Sequence, residues 1–204
     1  EVLAAPAGPT YRNALRSPVT ATPRRNVPTR FISGRLLRME ANHSTTLGVL
    51  LAAGSGTRFS GSQHKLLSHI DGQTIISRSL TAMTGSDLDG FILVSGALDL
   101  SNHISDVEVV HNPDWKTGQR SSVITAMKFA RAHGYDAIVV GLADQPFLTS
   151  QAWINVASST SPIAVATYNG TRGNPVRLHS SVWDTFEDLE ADPDAGARSL
   201  IHLH

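Results

Sequence analysis

The stretch Leu47–Leu67 reads LGVLLAAGSGTRFSGSQHKLL, an apolar run, a turn of small residues, Arg58, a second glycine and then Lys65 before the chain becomes apolar again. The turn Ala52, Ala53, Gly54, Ser55 and Gly56 that follows Leu51 carries very little side chain. A ligand can approach such a backbone closely, and successive N–H groups can form an anion-binding nest. Arg58 and Lys65 would bring charge to polyphosphate oxygens, the first as a planar fork and the second as a mobile point charge. The combination suits a nucleoside triphosphate. A glycine-rich connection with two solvated cations would use the same residues.

Two familiar phosphate loops do not fit. Gly54-x-Gly56 is followed by Phe59 where a dinucleotide fingerprint needs Gly or Ala, and the Gly56–Gly61 spacing of a P-loop is followed by Ser62 instead of Lys. Farther on, Asp144 follows the apolar run Ala137–Leu142. Mg²⁺ favours oxygen ligands, often one or two carboxylates with phosphate oxygens and water, and Asp-Gln-Pro is also ordinary turn and cap chemistry. Ser121 and Ser122 open an expected helix, which their hydroxyls would cap.

These residues need elements to hold them. Strands are expected at Leu47–Ala53, Gly90–Ser95, Val107–His111, Ala137–Leu142, Ile163–Tyr168 and Asn174–Leu178, and helices at Thr74–Met83, Ser121–Ala132, Ser150–Ser158, Ser181–Glu190 and Gly196–His202. The continuously apolar runs GVLL, FILV and AIVV are what strands covered on both faces require. The expected fold is therefore an α/β, three-layer α/β/α sandwich with a mostly parallel sheet. Ligands bind such sheets outside the carboxyl ends of the strands, where the Ala52–Arg58 turn and Asp144 both fall.

The full pattern L-A-A-G-x-G-x-R-F-x-G followed by Lys65-Leu66-Leu67 resembles the signature of the MobA-like NTP transferase family, and within it the molybdenum cofactor cytidylyltransferases. Later segments are similar as well: HNPDWKTGQRSSVITAM (His111–Met127), GLADQPFLT (Gly141–Thr149), RGNPVRL (Arg172–Leu178) and DAGARSL (Asp194–Leu200). The resemblance covers about Thr46 to Ile201. It implies a Rossmann-like sheet of the nucleotide-diphospho-sugar transferase type and transfer of a nucleotidyl group to a substrate phosphate with loss of pyrophosphate.

By the same resemblance Lys65, Asp144 and Arg58 are catalytic, and Asp144 holds Mg²⁺ or Mn²⁺. Leu51–Gly56, Arg58, Lys65, Ser121 and Ser122 bind nucleotide, while Gln145, Pro146, Asn174 and Asp194 face the acceptor. Leu51-Ala52-Ala53-Gly54 is the wording of the cytidylyl enzymes, where guanylyl enzymes carry Leu-Ala-Gly-Gly, so CTP and a molybdopterin cofactor are the implied substrates, with a molybdoenzyme as possible client. Ala143, Asn174 and Pro193 stand where the family usually has Gly, His and Gly. Relatives continue past the Gly-Ala-Arg block to an Asp-rich segment that can complete the metal site, so here a second carboxylate comes from elsewhere or the chain is shortened and poorly active. The rival readings are a guanylyl or sugar-phosphate nucleotidyltransferase, and a cofactor carrier or chaperone without catalysis.

Composition narrows the classes further. The 204 residues contain no cysteine, which excludes disulfides, thiolate metal sites and a cysteine nucleophile. No apolar run approaches the roughly 20 residues that span a bilayer, so no membrane partner and a cytoplasmic protein are expected. Residues 1–40 carry seven Arg against two Glu and half of the ten prolines, while residues 41–204 hold ten Lys and Arg against fifteen Asp and Glu. A body with net charge −5 is not a nucleic-acid surface. Residues 1–45 are expected to form an extended or disordered arm, whose composition also matches a transit peptide, and 46–204 the nucleotidyltransferase domain. Trp115, Trp153 and Trp183 are expected to serve packing and not to stack on a base, and the histidines show no HExxH pattern for zinc.

Overall fold

Three continuously apolar runs form the centre of one sheet, as their two-sided burial demands. A computed structural model describes residues 44–56, 64–101 and 104–188, all within the unit His43–His204. In chain order the elements are β1 (Thr46–Ala52), β2 (His69–Ile70), β3 (Gln73–Thr74), α1 (Ile75–Thr84), β4 (Gly90–Ser95), β5 (Glu108–His111), α2 (Gln119–Ala132), β6 (Ala137–Leu142), α3 (Ser150–Ala157), β7 (Ile163–Tyr168), β8 (Thr171–His179) and α4 (Trp183–Asp188). The arm expected over 1–45 and the helix expected at Gly196–His202 lie, apart from Ser44 and Thr45, outside the described residues.

The six-stranded sheet has the order β5-β4-β1-β6-β8-β7. β5, β4, β1 and β6 run parallel, and β8 runs antiparallel between β6 and β7. On one face Val49, Leu51, Ile138 and Val140 pack against Val123 and Met127 of α2 and Trp183 and Phe186 of α4. On the other, Leu50, Leu93 and Val139 meet Ile75, Ile76 and Met83 of α1 and Trp153 of α3. The three-layer expectation holds.

Local chemistry sets the ends of these elements. Thr74 caps α1 by accepting from the Ser77 amide, and Thr149 caps α3 through the Ala152 amide. Expected α2 begins two residues earlier than Ser121: Gly118, at φ 111°, takes the N-cap position and makes no side-chain cap. Ser121 and Ser122 therefore do not cap the helix; they sit in its first turn. Of the helix expected at Ser181–Glu190, the described residues form a 3-10 turn at Ser180–Val182 followed by α4, and Leu189 and Glu190 lie outside them.

Two tight hairpins were not expected. Asp71-Gly72 joins β2 to β3 and Asn169-Gly170 joins β7 to β8, all four residues at positive φ between 50° and 80°. Asp-Gly and Asn-Gly favour the mirror-image turns whose twist matches paired strands. The second hairpin explains why β8 starts at Thr171, three residues before the expected Asn174.

Candidate active site

The site lies where the sheet order reverses, between the carboxyl ends of β1 and β6. From β1 the chain goes outward to β4 and β5, then returns through α2 to β6 on the other side of β1. Such a reversal leaves a crevice between the two sets of connecting loops. A cleft of about 610 Å³ occupies it, lined in part by Leu51–Gly56, His64, Lys65 and Asp144.

The turn after β1 is fixed at both flanks. The Ala143 amide donates to the Leu51 carbonyl at 2.9 Å, and the Ala97 amide donates to the Ala53 carbonyl at 3.1 Å. Gly96 permits this second contact, because a Cβ there would lie 2.6 Å from the Ala53 oxygen and 2.7 Å from the Trp115 Cβ. The nest expected at Gly54–Gly56 is thus mounted on the central strands.

Lys65 opens a 3-10 turn at Lys65–Leu67 whose middle residue, Leu66, is buried. Its ammonium reaches across the cleft to Asp144, with Nζ 2.9 Å from Oδ2. The two residues are 79 positions apart, and β1 and β6 being neighbours is what brings them together. Their side chains keep 39% and 43% of their exposure, so both groups remain accessible from the cleft.

The far wall comes from the segment between β5 and α2. Asn112, only 1% exposed, donates through Nδ2 to the hydroxyls of Ser121 at 2.9 Å and Ser122 at 3.0 Å, while its Oδ1 accepts from the Asp114 amide at 3.0 Å. Every polar group of that buried amide is directed at α2 or the loop before it. Ser122 lines the cleft, whereas Ser121 is not among its lining residues and instead donates to the Gly118 and Asp114 carbonyls.

Trp115 is placed differently from the other two tryptophans. Trp153 and Trp183 are buried in the core at 0% and 1% exposure, but Trp115 lines the cleft together with Lys116 and Gln119. The Lys116 ammonium lies 5.6 Å from the Trp115 ring centre. A tryptophan in the NPDW run carries no periodicity that separates wall from core, which is why the sequence reading grouped it with the others.

The residues expected on the acceptor side are partly assembled. Gln145 and Asn174 meet directly, Nδ2 of Asn174 donating to Oε1 of Gln145 at 3.0 Å. Tyr168 donates its hydroxyl to the Asn174 carbonyl at 2.7 Å, and burial raises that phenol's pKa above its ordinary value. Gln145, Pro146 and Asn174 are not among the residues lining the cleft itself. Arg58 and Asp194 lie outside the described residues.

Among the described residues no group of three or more His, Cys, Asp or Glu side chains gathers to hold a metal. Among the described residues that line the cleft, Asp144 is the one carboxylate. That donor set suits Mg²⁺ or Mn²⁺ shared with phosphate oxygens and water, and does not suit a closed metal site made of protein ligands.

Comparison with known proteins agrees with this geometry. Residues 48–204 match the MobA-like NTP transferase domain. The chain is 31% identical over 173 residues to the purine catabolism protein PucB of Bacillus subtilis, across 76% of this chain and 80% of that protein. It is 33% identical over 110 residues to the bifunctional protein GlmU of Rhizobium rhizogenes, of which it spans 24%. Among solved structures, Rv0371c from Mycobacterium tuberculosis superposes with a TM-score of 0.63 at 24% identity, over 78% of this chain and 84% of that one. That likeness is one of fold, the nucleotide-diphospho-sugar transferase type.

Proposed function

The chain belongs to the MobA-like NTP transferase domain family, and on that premise we propose that it transfers CMP from CTP to the phosphate of a molybdopterin-type cofactor, releasing pyrophosphate. The observation that carries this reading is the meeting in one cleft of the Leu51–Gly56 turn, Lys65 and Asp144. A phosphate oxygen of the acceptor attacks the α-phosphorus. The new P–O bond forms as the bond to the β-phosphate oxygen breaks, and the electron pair leaves with pyrophosphate.

The acceptor is already anionic, so the step needs no general base. Positioning and charge stabilisation suffice. The amides of Gly54–Gly56 hold the β- and γ-phosphates together with Arg58, and the Lys65 ammonium turns from Asp144 to the α-phosphoryl oxygens. Asp144 would hold Mg²⁺ or Mn²⁺, which supplies neutralising charge to the triphosphate when bound.

The Leu51-Ala52-Ala53-Gly54 wording supports cytosine over guanine, since a single methyl in a pocket shifts preference by about 1–3 kcal/mol. Ser122, Trp115 and Gln119 then surround the nucleoside. Gln145, Pro146, Asn174 and Asp194 form the acceptor side, where the joined amides of Gln145 and Asn174 offer donors and acceptors to a heterocycle. A molybdoenzyme is the client that such an acceptor implies.

Thermal stabilisation tests the nucleotide half of this reading. At a hundredfold excess over Kd, CTP with Mg²⁺ should raise Tm by about 5–10 °C, GTP should do much less, and Lys65→Ala should abolish the CTP shift. Unliganded Lys65→Ala should melt within about 4 °C of wild type, because an ion pair this exposed contributes about 0–1 kcal/mol. A GTP-selective shift would move the assignment to guanylyl transfer.

A further inference from the structure

His64 belongs to neither the catalytic nor the nucleotide-binding set, yet both of its ring nitrogens are engaged at the site. Nδ1 lies 3.3 Å from the Leu66 amide and Nε2 lies 3.2 Å from the Gly54 carbonyl. The Leu66 amide can only donate, so Nδ1 must be the unprotonated nitrogen. The Gly54 carbonyl can only accept, so Nε2 must carry the proton. One of the two neutral tautomers satisfies both contacts, and the other satisfies neither.

The ring also sits against the turn itself. A Cβ on Gly56 would lie 3.1 Å from Nε2, and Gly56 is held at φ +63°, a conformation that side chains disfavour. At the other end of the bridge, Leu66 is 5% exposed and packs with Leu50, Ile75 and Ile76. His64 thus connects the glycine turn, across ten residues of chain, to a core-anchored turn that also carries Lys65.

We propose that His64 is a positioning residue: as the Nε2–H tautomer it clamps the Gly54–Gly56 turn to the Lys65–Leu67 turn, so that the phosphate-binding amides and the lysine are in register before nucleotide arrives. This rests on the nucleotide-binding part of the proposed function. Its energetic effect is on affinity, because a loop ordered in advance loses less conformational freedom on binding.

Three variants separate the two contacts. His64→Ala loses both. His64→Asn keeps a short oxygen acceptor for the Leu66 amide, the capping contact, and loses the reach to Gly54. His64→Gln places an amide donor near the position of Nε2 and loses the acceptor at Nδ1. The Kd for CTP and for GTP, with Mg²⁺, should be measured by calorimetry beside the unliganded Tm.

In Ala and Asn variants the Kd for CTP is expected to rise about tenfold, the scale of one net hydrogen bond, with Tm recovered in Asn and lowered in Ala. In Gln the affinity returns to within about threefold of wild type. The ¹⁵N spectrum of the neutral ring in the unliganded protein should report Nε2–H. Wild-type CTP binding in all three variants, a Kd that merely follows Tm, or an Nδ1–H tautomer would overturn the clamp while leaving nucleotide binding intact. Failure of wild type to bind either nucleotide would overturn the functional reading and the clamp with it.

Discussion

Gly54 and Gly56 sit two positions apart in the same turn, but the fold needs only one of them. A Cβ on Gly54 would meet nothing within 4 Å, whereas Gly56 combines positive φ with the 3.1 Å approach to His64. Gly54→Ala should therefore leave the unliganded Tm unchanged within about 2 °C while weakening CTP binding, since the added methyl enters space that a phosphate would use. Gly56→Ala should cost about 1–3 kcal/mol of stability as well. Equal loss of Tm in both variants would contradict this division of roles, and paired melting and binding curves measure it. At this scale the sequence was informative about residue type and silent about pairing: nothing in the spacing joins Lys65 to Asp144, which lies 79 residues away.

The elements that build the walls can be tested through Asn112. Its amide joins the end of β5 to the first turn of α2, and truncation would leave the Asp114 amide and two serine hydroxyls without that partner. Asn112→Ala is expected to cost about 2–3 kcal/mol, roughly 5–10 °C in Tm, and to weaken CTP binding because Gly118, Gln119 and Ser122 line the cleft. An unchanged melting temperature would show that α2 is held by its apolar face alone. The strands were legible because apolar runs and β-branched residues mark buried parallel strands directly. The two hairpins carried Asp-Gly and Asn-Gly in plain view, yet β2 and β3 have only 2 residues each, and the polar Thr171-Arg172-Gly173 start of β8 left the expected strand at Asn174 short of its turn. The start of α2 was missed for another reason: Gly118 begins the helix through its φ of 111°, and no side chain announces that conformation.

At the scale of the whole molecule, function follows from topology. The order β5-β4-β1-β6-β8-β7 puts the two loops with the strongest chemical signals beside each other at one edge of the sheet. Neither loop alone distinguishes a polyphosphate site from an ordinary turn, and the proposed function rests on their juxtaposition. One hydrophilic feature runs against the pattern that made the sheet readable. Arg177 of β8 is 4% exposed, donates to the Ser161 carbonyl at 2.7 Å, and has its pKa lowered by burial. Alternation in β8 places it opposite Val176 and Leu178, on the face covered by α1 and α3, where charge is not expected. No helix among the described residues is long and apolar enough to cross a membrane.

Release of pyrophosphate from saturating CTP with Mg²⁺ and molybdopterin tests nucleotidyl transfer most directly. Multiple turnovers are predicted for the wild-type chain, dependent on the acceptor, with Lys65→Ala and Asp144→Ala each reduced about a hundredfold or more, as expected when charge stabilisation at the reacting phosphorus is removed. Binding of CTP and cofactor without pyrophosphate release, or turnover within a few fold of wild type in either variant, would contradict it.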